Sequence, residues 1–368
     1  MTATGRARDR RVYLLSHPVL FALLAALRRQ PVRRLGRTLI VHDREACLAA
    51  LTRIPLDRTA EGTTGGAVDR LAGAGGLFDQ QGDDHRRTRR DVAEGLGAAG
   101  VERLRPVWNR LLDERLAPLA HGGTVDLVPL AAEIAGTTAA ALLDLEVDPV
   151  ELAAAAQEAG STAARAHLPG VARRRAGMRA DTAAQRLIEL VTASRTVSCP
   201  AGASRAGDAG LAATLAVAAV NTTVAALPRS AAWVCDDGLW AYAGESVLID
   251  ELLRVTSPTP LLPRVAAAGG EIAPGCPVRR GDRMLLIVRH AVDAHRRDPE
   301  PANPAPARQA QLVFGAGTHA CPGARLARQQ LADLLAALAP HRPVVVRAKA
   351  DRRSALPGWR SLIVRGTA

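Results

Sequence analysis

Phe314-Gly315-Ala316-Gly317-Thr318-His319-Ala320-Cys321-Pro322-Gly323, running into Ala324-Arg325-Leu326-Ala327-Arg328, sets a cysteine at the start of a helix. Pro322 suits a first helical position, where its missing N–H has no intrahelical partner. That places Cys321 at the N-cap, where free backbone donors and the helix dipole favour a thiolate. The glycines before it allow a tight turn that brings backbone amides towards the sulfur. Leu326, Leu331, Leu334, Leu335 and Leu338 give a helix over Pro322 to Leu338 one apolar stripe to bury. A thiolate so presented serves as a nucleophile, a redox centre or a metal ligand. An isolated cysteine is otherwise most often a small buried hydrophobe.

The whole ten-residue pattern resembles the haem-binding loop F-x-x-G-x-x-x-C-x-G of the cytochrome P450 family, with Phe314, Gly317 and Gly323 at its other fixed positions. The resemblance implies haem b (iron protoporphyrin IX) with Cys321 as axial thiolate. Upstream, Glu251 and Arg254 match the family's E-x-x-R; three residues apart on a helix, they share a face and can pair. The resemblance implies a buried structural ion pair whose third member, from the meander before the loop, is Arg308. His85 and Arg89 resemble the family's H-x-x-x-R, with Arg264 and His319 at its other two propionate-binding positions. Four cations on two carboxylates would anchor the cofactor by charge-assisted hydrogen bonds.

The central apolar helix departs from the family pattern. Where the family has A-G-x-D/E-T, this chain reads Ala218-Ala219-Val220-Asn221-Thr222-Thr223. Thr222 keeps the alcohol of the proton relay, while Asn221 replaces the acid and supplies no proton at neutral pH. The gap from Thr223 to Glu251 is short for the family, as though a connecting helix were trimmed, and the meander through Pro306 is compressed.

The chain has 368 residues, 48 Lys+Arg against 36 Asp+Glu and a formal charge of +12. The cations are almost all arginine, as a GC-rich genome writes them. Three Phe, two Tyr and four Trp are too few for the stacking platforms of RNA or single-strand binders, so nucleic acid is not the expected partner. Five cysteines, odd in number and without a C-x-x-C pair, indicate neither a disulfide framework nor a zinc site, and fit a reducing cytoplasm. Basic residues Arg6 to Arg11 precede an apolar run from Tyr13 to Leu27 that superficially resembles a signal peptide, but His17 and Pro18 break it and Arg28 and Arg29 follow. Ala209 to Pro228 is long enough to span a membrane, yet its alanines, threonines and Asn221 read as a buried helix. No membrane partner is expected.

Helical spacing predicts helices over Asp84–Leu96, Gly100–Leu119, Leu127–Leu145, Pro149–Ala159, Val171 to about Ser194, Ala209–Val234 and Ser246–Val255, with Pro228 kinking or ending its helix. Asp43 is the expected cap of a helix through Leu51. Strands are expected at Thr38–Val41, Met284–Val288 and Pro343–Val346, and loops at Gly62–Gly76, which reads as mobile, and from Ser194 to Asp208. The expected fold is mainly α with a small β region, one cytochrome P450-like domain over 1–368, with 1–34 resembling the family least.

The resemblance implies an enzyme that takes electrons from NAD(P)H through a reductase and a ferredoxin, activates O2 and oxidises a small organic molecule, by default in secondary-metabolite tailoring. Arg325 and Arg328 are candidates for the ferredoxin face. Two rivals remain: a non-catalytic, haem-poor relative that stabilises a partner enzyme, and a haem enzyme driven by peroxide. Neither substrate nor specificity is legible in Gly62–Gly76 or Gly160–Ala180.

Overall fold

Alanine and leucine at three- and four-residue spacings wind most of the chain into helices. The computed structural model describes residues 4–63, 82–166, 173–194 and 206–367. Most of the expected loop at Gly62–Gly76, the region of His167 and Pro169, and residues 195–205 lie outside the described residues. In chain order the elements are α1 (Gly5–Ser16), α2 (Pro18–Leu27), β1 (Val32–Leu35), β2 (Thr38–Val41), α3 (Arg44–Thr52) and β3 (Leu56–Asp57). Then follow α4 (Gly82–Leu96), α5 (Ala98–Leu116), β4 (Thr124–Asp126), α6 (Leu127–Leu143), α7 (Pro149–Ala166), α8 (Arg173–Ala193) and α9 (Ala206–Asp237). The remainder holds α10 (Ser246–Thr256), β5 (Leu262–Ala266), β6 (Gly270–Ala273), β7 (Cys276–Val278), β8 (Arg283–Leu286), α11 (Val288–Ala291), α12 (Ala307–Gln311), α13 (Ala324–Leu338), β9 (Val344–Asp351) and β10 (Gly358–Arg365).

Local chemistry sets several boundaries. Asp43 caps α3 by accepting from the Ala46 N–H at 2.8 Å, and Asp126 caps α6 through Val128. Helix α10 ends at Ser257, held at φ 35 ahead of Pro258. The leucine stripe of α13 is buried throughout, against Trp108 and Leu112 of α5 and Leu248 and Leu252 of α10.

A five-stranded sheet has the order β1-β2-β8-β5-β3, with only β2 and β8 parallel. A second sheet runs β4-β10-β9, and β6 and β7 form a hairpin. The expected terminal strand at Pro343–Val346 is longer than its alternation suggests, and β10 was not expected at all. Register shifts between Trp359 and Ser361 and between Ile363 and Val364 break the period of two that would have announced it.

Of the two outcomes expected at Pro228, a kink or an end, the end does not occur: α9 runs on to Asp237. Beyond the proline Ala231, Ala232, Trp233 and Val234 are buried in the main core, and Arg229 is pinned by Asp9 at 2.9 Å. Packing on both sides outweighs the hydrogen bond that the proline removes. Half of the most apolar stretch of this helix is buried inside the fold. The link from α9 to α10 is short, a single 3-10 turn at Leu239–Tyr242 after Gly238.

Glu251 and Arg254 pair on α10 at 2.7 and 2.8 Å, both fully buried. Arg254 also donates to the carbonyls of Val292, Arg297 and Asp298, while Glu251 accepts from the N–H groups of Glu300 and Ala305. Every donor of the guanidinium and both oxygens of the carboxylate are thereby used. Arg308 is not the third member: it is exposed on α12, and the backbone of residues 292–305 takes the place assigned to it. Burial alone would raise the Glu251 pKa, but Arg254 and the two N–H groups hold it below its ordinary value of 4.5. A depressed carboxylate stabilises above its unfolded pKa and loses that contribution as pH falls through the folded one. Glu251→Ala should therefore cost about 3–5 kcal/mol in urea melts at neutral pH by stranding Arg254, and the wild-type advantage should shrink as pH drops below about 4.5. An equal stability of the two proteins at neutral pH would refute this.

Candidate functional site

The loop of Cys321 is shaped by two glycines in left-handed backbone, Gly315 at φ 75 and Gly317 at φ 72. At Gly317 a Cβ would also stand 3.0 Å from the Leu51 carbonyl of α3. The Cys321 N–H donates to the Phe314 carbonyl at 2.7 Å, closing the loop. Helix α13 begins only at Ala324, with Gly323 as its N-cap, so Cys321 is not the cap and Pro322 is not the first helical residue. The closing bond to Phe314 turns the chain at Pro322-Gly323 before helical geometry starts. Instead of a cap position, the sulfur has the Gly323 N–H directed at it. Cys321 is exposed by surface area, while desolvation of its sulfur by nearby atoms pushes the thiol pKa up; the Gly323 N–H, Arg89 and Arg328 oppose that push.

Behind the loop the expected cations do converge. The ring of His319 lies 4.1 Å from that of His85 on α4. Arg89, one turn on from His85, and Arg264 on β5 both act on His319. Arg58 is a member that the sequence reading missed. No motif marks it; the pairing of β3 with β5, Asp57 opposite Val265, carries it beside Arg264. Burial followed by Arg58 pushes Arg264 down to about 9. Burial, then Arg58, His85, Arg264 and Arg89, pushes His319 down to about 3. His85 is also lowered, by burial and then by Arg89, Arg58 and Arg86. Among the described residues no carboxylate counters these shifts, and the buried His85 Nε2 and Arg264 Nε have no hydrogen-bond partner. A half-buried set of donors rich in arginine is matched to an anion carrying several acceptor oxygens. The two propionates of a haem fit it, on the same loop that presents the thiol.

Arg328 is committed elsewhere. It bonds Asp250 at 2.7 Å and Gln311 at 2.9 Å and lies 4.7 Å over the Phe314 ring, so it braces the loop and is not free for docking. Arg325 is exposed.

On α9, Asn221 is turned onto α7, donating to the carbonyls of Ala156 at 3.0 Å and Val217 at 2.8 Å. The approach is close enough that a Cβ on Gly160 would lie 2.6 Å from the amide. Asn221 also lines a cavity of about 140 Å³ with Gln157, Asp351 and Trp359. The Thr222 hydroxyl donates to the Ala218 carbonyl at 2.8 Å. Asn221 thus joins two helices through a donor that no carboxylate has.

No family model matches the chain, and no curated protein resembles it in sequence. Solved structures do. P450BioI in complex with an acyl carrier protein ligated to hexadec-9Z-enoic acid is 18% identical, covering 96% of this chain and 99% of its own at a TM-score of 0.77. A mutant of P450 EryK with erythromycin B is 20% identical, with 96% and 98% covered and a TM-score of 0.74. Cytochrome P450epoK with epothilone B bound is 20% identical, with 96% and 98% covered and a TM-score of 0.75. The chain therefore has the cytochrome P450 fold, mainly α with a small β region.

Two outcomes are expected. Asn221→Asp should cost about 1–3 kcal/mol in urea melts, because it replaces a donor between two carbonyls by an acceptor; unchanged stability would show that the bond to α7 is dispensable. Carboxylates beside a depressed imidazole raise its pKa, so binding of haem at about pH 6 should take up protons. Calorimetry in two buffers of different ionisation enthalpy reads this, and identical heats would count against the assigned cluster.

Proposed function

We propose that this chain is a haem-thiolate oxidoreductase that binds haem b and oxidises a small organic molecule. One observation carries the reading: His85, Arg89, Arg264 and His319 converge, with Arg58 beside them, next to a glycine-turned cysteine loop that carries both His319 and Cys321. His85, Arg89, Arg264 and His319 hold and orient the propionates, with Arg58 adding to the field. Cys321 would supply the thiolate that holds the haem iron. Phe314 and Gly317 fix the loop, and the N–H of Gly323 favours the thiolate over the thiol. Bound haem supplies dioxygen activation there.

In the overall balance a substrate C–H, O2, two electrons and two protons give C–OH and water. The electrons come from NAD(P)H through a reductase and a ferredoxin, for which exposed Arg325 offers a contact for an acidic partner. Thr222 is the alcohol available on α9. The cysteine usage supports a cytoplasmic setting, and the neighbours holding erythromycin B and epothilone B support a tailoring role on a natural product. Peroxide as oxidant is a second reading, favoured by the commitment of the Asn221 amide to α7. Peroxide brings oxygen, electrons and protons together, and has less need of an acid beside Thr222.

The purified protein should take up haem and show a thiolate-type Soret band in the reduced-CO difference spectrum. Cys321→Ser should abolish that band while leaving the fold intact by circular dichroism. A protein that takes up no haem, or a variant with an unchanged spectrum, would remove the reading. Turnover with peroxide alone would select the second oxidant.

A further inference from the structure

The apolar run that resembles a signal peptide is neither a continuous span nor fully buried. It is bent by 114° at His17, between α1 and α2. The ten residues of α2 carry no polar side chain, and Phe21 and Leu24 alone are buried, against Tyr13, Ile40 and Ile287. On the other side Val19, Ala22, Leu23 and Ala26 form an exposed stripe at helical spacing, with Val19 83% and Leu23 52% accessible. A surface helix ordinarily turns a polar face outward.

The surroundings of this stripe are cationic. Residues 1–42 contain nine arginines and a single acid, Asp9, which is buried between Arg229 and Arg289. Arg28 and Arg29 follow α2 directly, Arg10 and Arg11 stand on α1, and all four are exposed with no ion pair among the described residues. His17 at the corner is lowered by burial and then by Arg165 of α7, with no carboxylate countering.

We propose that α2 lies in the surface of an anionic phospholipid bilayer, with Val19 and Leu23 among the acyl chains and the flanking arginines at the phosphates. At 1.5 Å per residue, α2 is about 15 Å long, half the hydrocarbon thickness, so it lies in the interface and does not cross. Apolar insertion and attraction of arginine to anionic headgroups then act together. A bilayer suits the stripe better than an acidic protein, since α2 offers no side-chain hydrogen bond to one. It suits it better than a second copy, whose arginines would meet these.

The test is pelleting of the full-length protein with phosphatidylcholine vesicles that contain about 30 mol % phosphatidylglycerol, or none. The protein should pellet with the anionic vesicles, far less with neutral ones, and be released by about 0.5 M salt. Val19→Asp/Leu23→Asp should lower the bound fraction about tenfold with an unchanged thermal melt. Arg28→Gln/Arg29→Gln, at exposed positions, should weaken binding to anionic vesicles alone, with an unchanged thermal melt. Wild-type protein that stays in solution with anionic vesicles at low salt overturns the proposal. So does a folded Val19→Asp/Leu23→Asp variant that pellets like wild type, or a wild-type dimer in light scattering that this variant splits while neither binds vesicles.

Discussion

The guanidinium of Arg254 and the carboxylate of Glu251 sit together on α10 in the protein interior, and everything proximal to the cysteine loop hangs from them. A buried ion pair repays its desolvation only when its remaining donors and acceptors are also satisfied. Here three carbonyls and two N–H groups from residues 292–305 complete it. The meander has little secondary structure of its own, and these contacts fasten it to a helix. Arg6 of α1 reaches the same segment, at the His295 carbonyl and Asp298. Arg328 then links Asp250 of α10 to the loop end of α13, so the loop, the meander and α10 form one braced unit.

The second constraint is electrostatic. Glu251 and Arg254 neutralise each other, whereas Arg264 and Arg58 bring two cations against the imidazoles of His85 and His319 and hold those rings in their neutral form. The consequence is legible in the lowered pKa values of Arg264 and His319, whose leading cause is burial and whose next is a neighbouring cation. A chain does not gain stability from such a cluster alone. It becomes favourable when an anion with several acceptor oxygens fills it, which is why the cluster says more about a ligand than the cysteine does.

Where expectation and structure part, the cause is usually a contact distant in sequence. Arg308 has the right charge in the right stretch, but backbone groups reach Arg254 and Glu251 first. Arg328 reads as a candidate for the ferredoxin face until Asp250, Gln311 and Phe314 are seen around it. Pro228 breaks helices in isolation and does not break this one, because Arg229 and the residues after it are anchored on α1 and in the core. Asn221 looks like a lost acid from its motif position; the structure gives it a positive role as a donor across two helices.

The sequence by itself determined the elements whose signals are local. These are the helices with apolar stripes, the cap at Asp43, the glycine-turned cysteine loop and the Glu251–Arg254 spacing. They are legible because each depends on residues within a turn or two of one another. Tertiary structure alone decided which cations meet, since Arg58 reaches Arg264 only through β3 and β5, and His85 reaches His319 only by the packing of α4 on the loop. It also decided that Cys321 precedes the cap of α13, and that the apolar run near the N-terminus divides into a buried face and an exposed one. Those outcomes rest on pairings between segments far apart in the chain, for which periodicity and motif spacing hold no information.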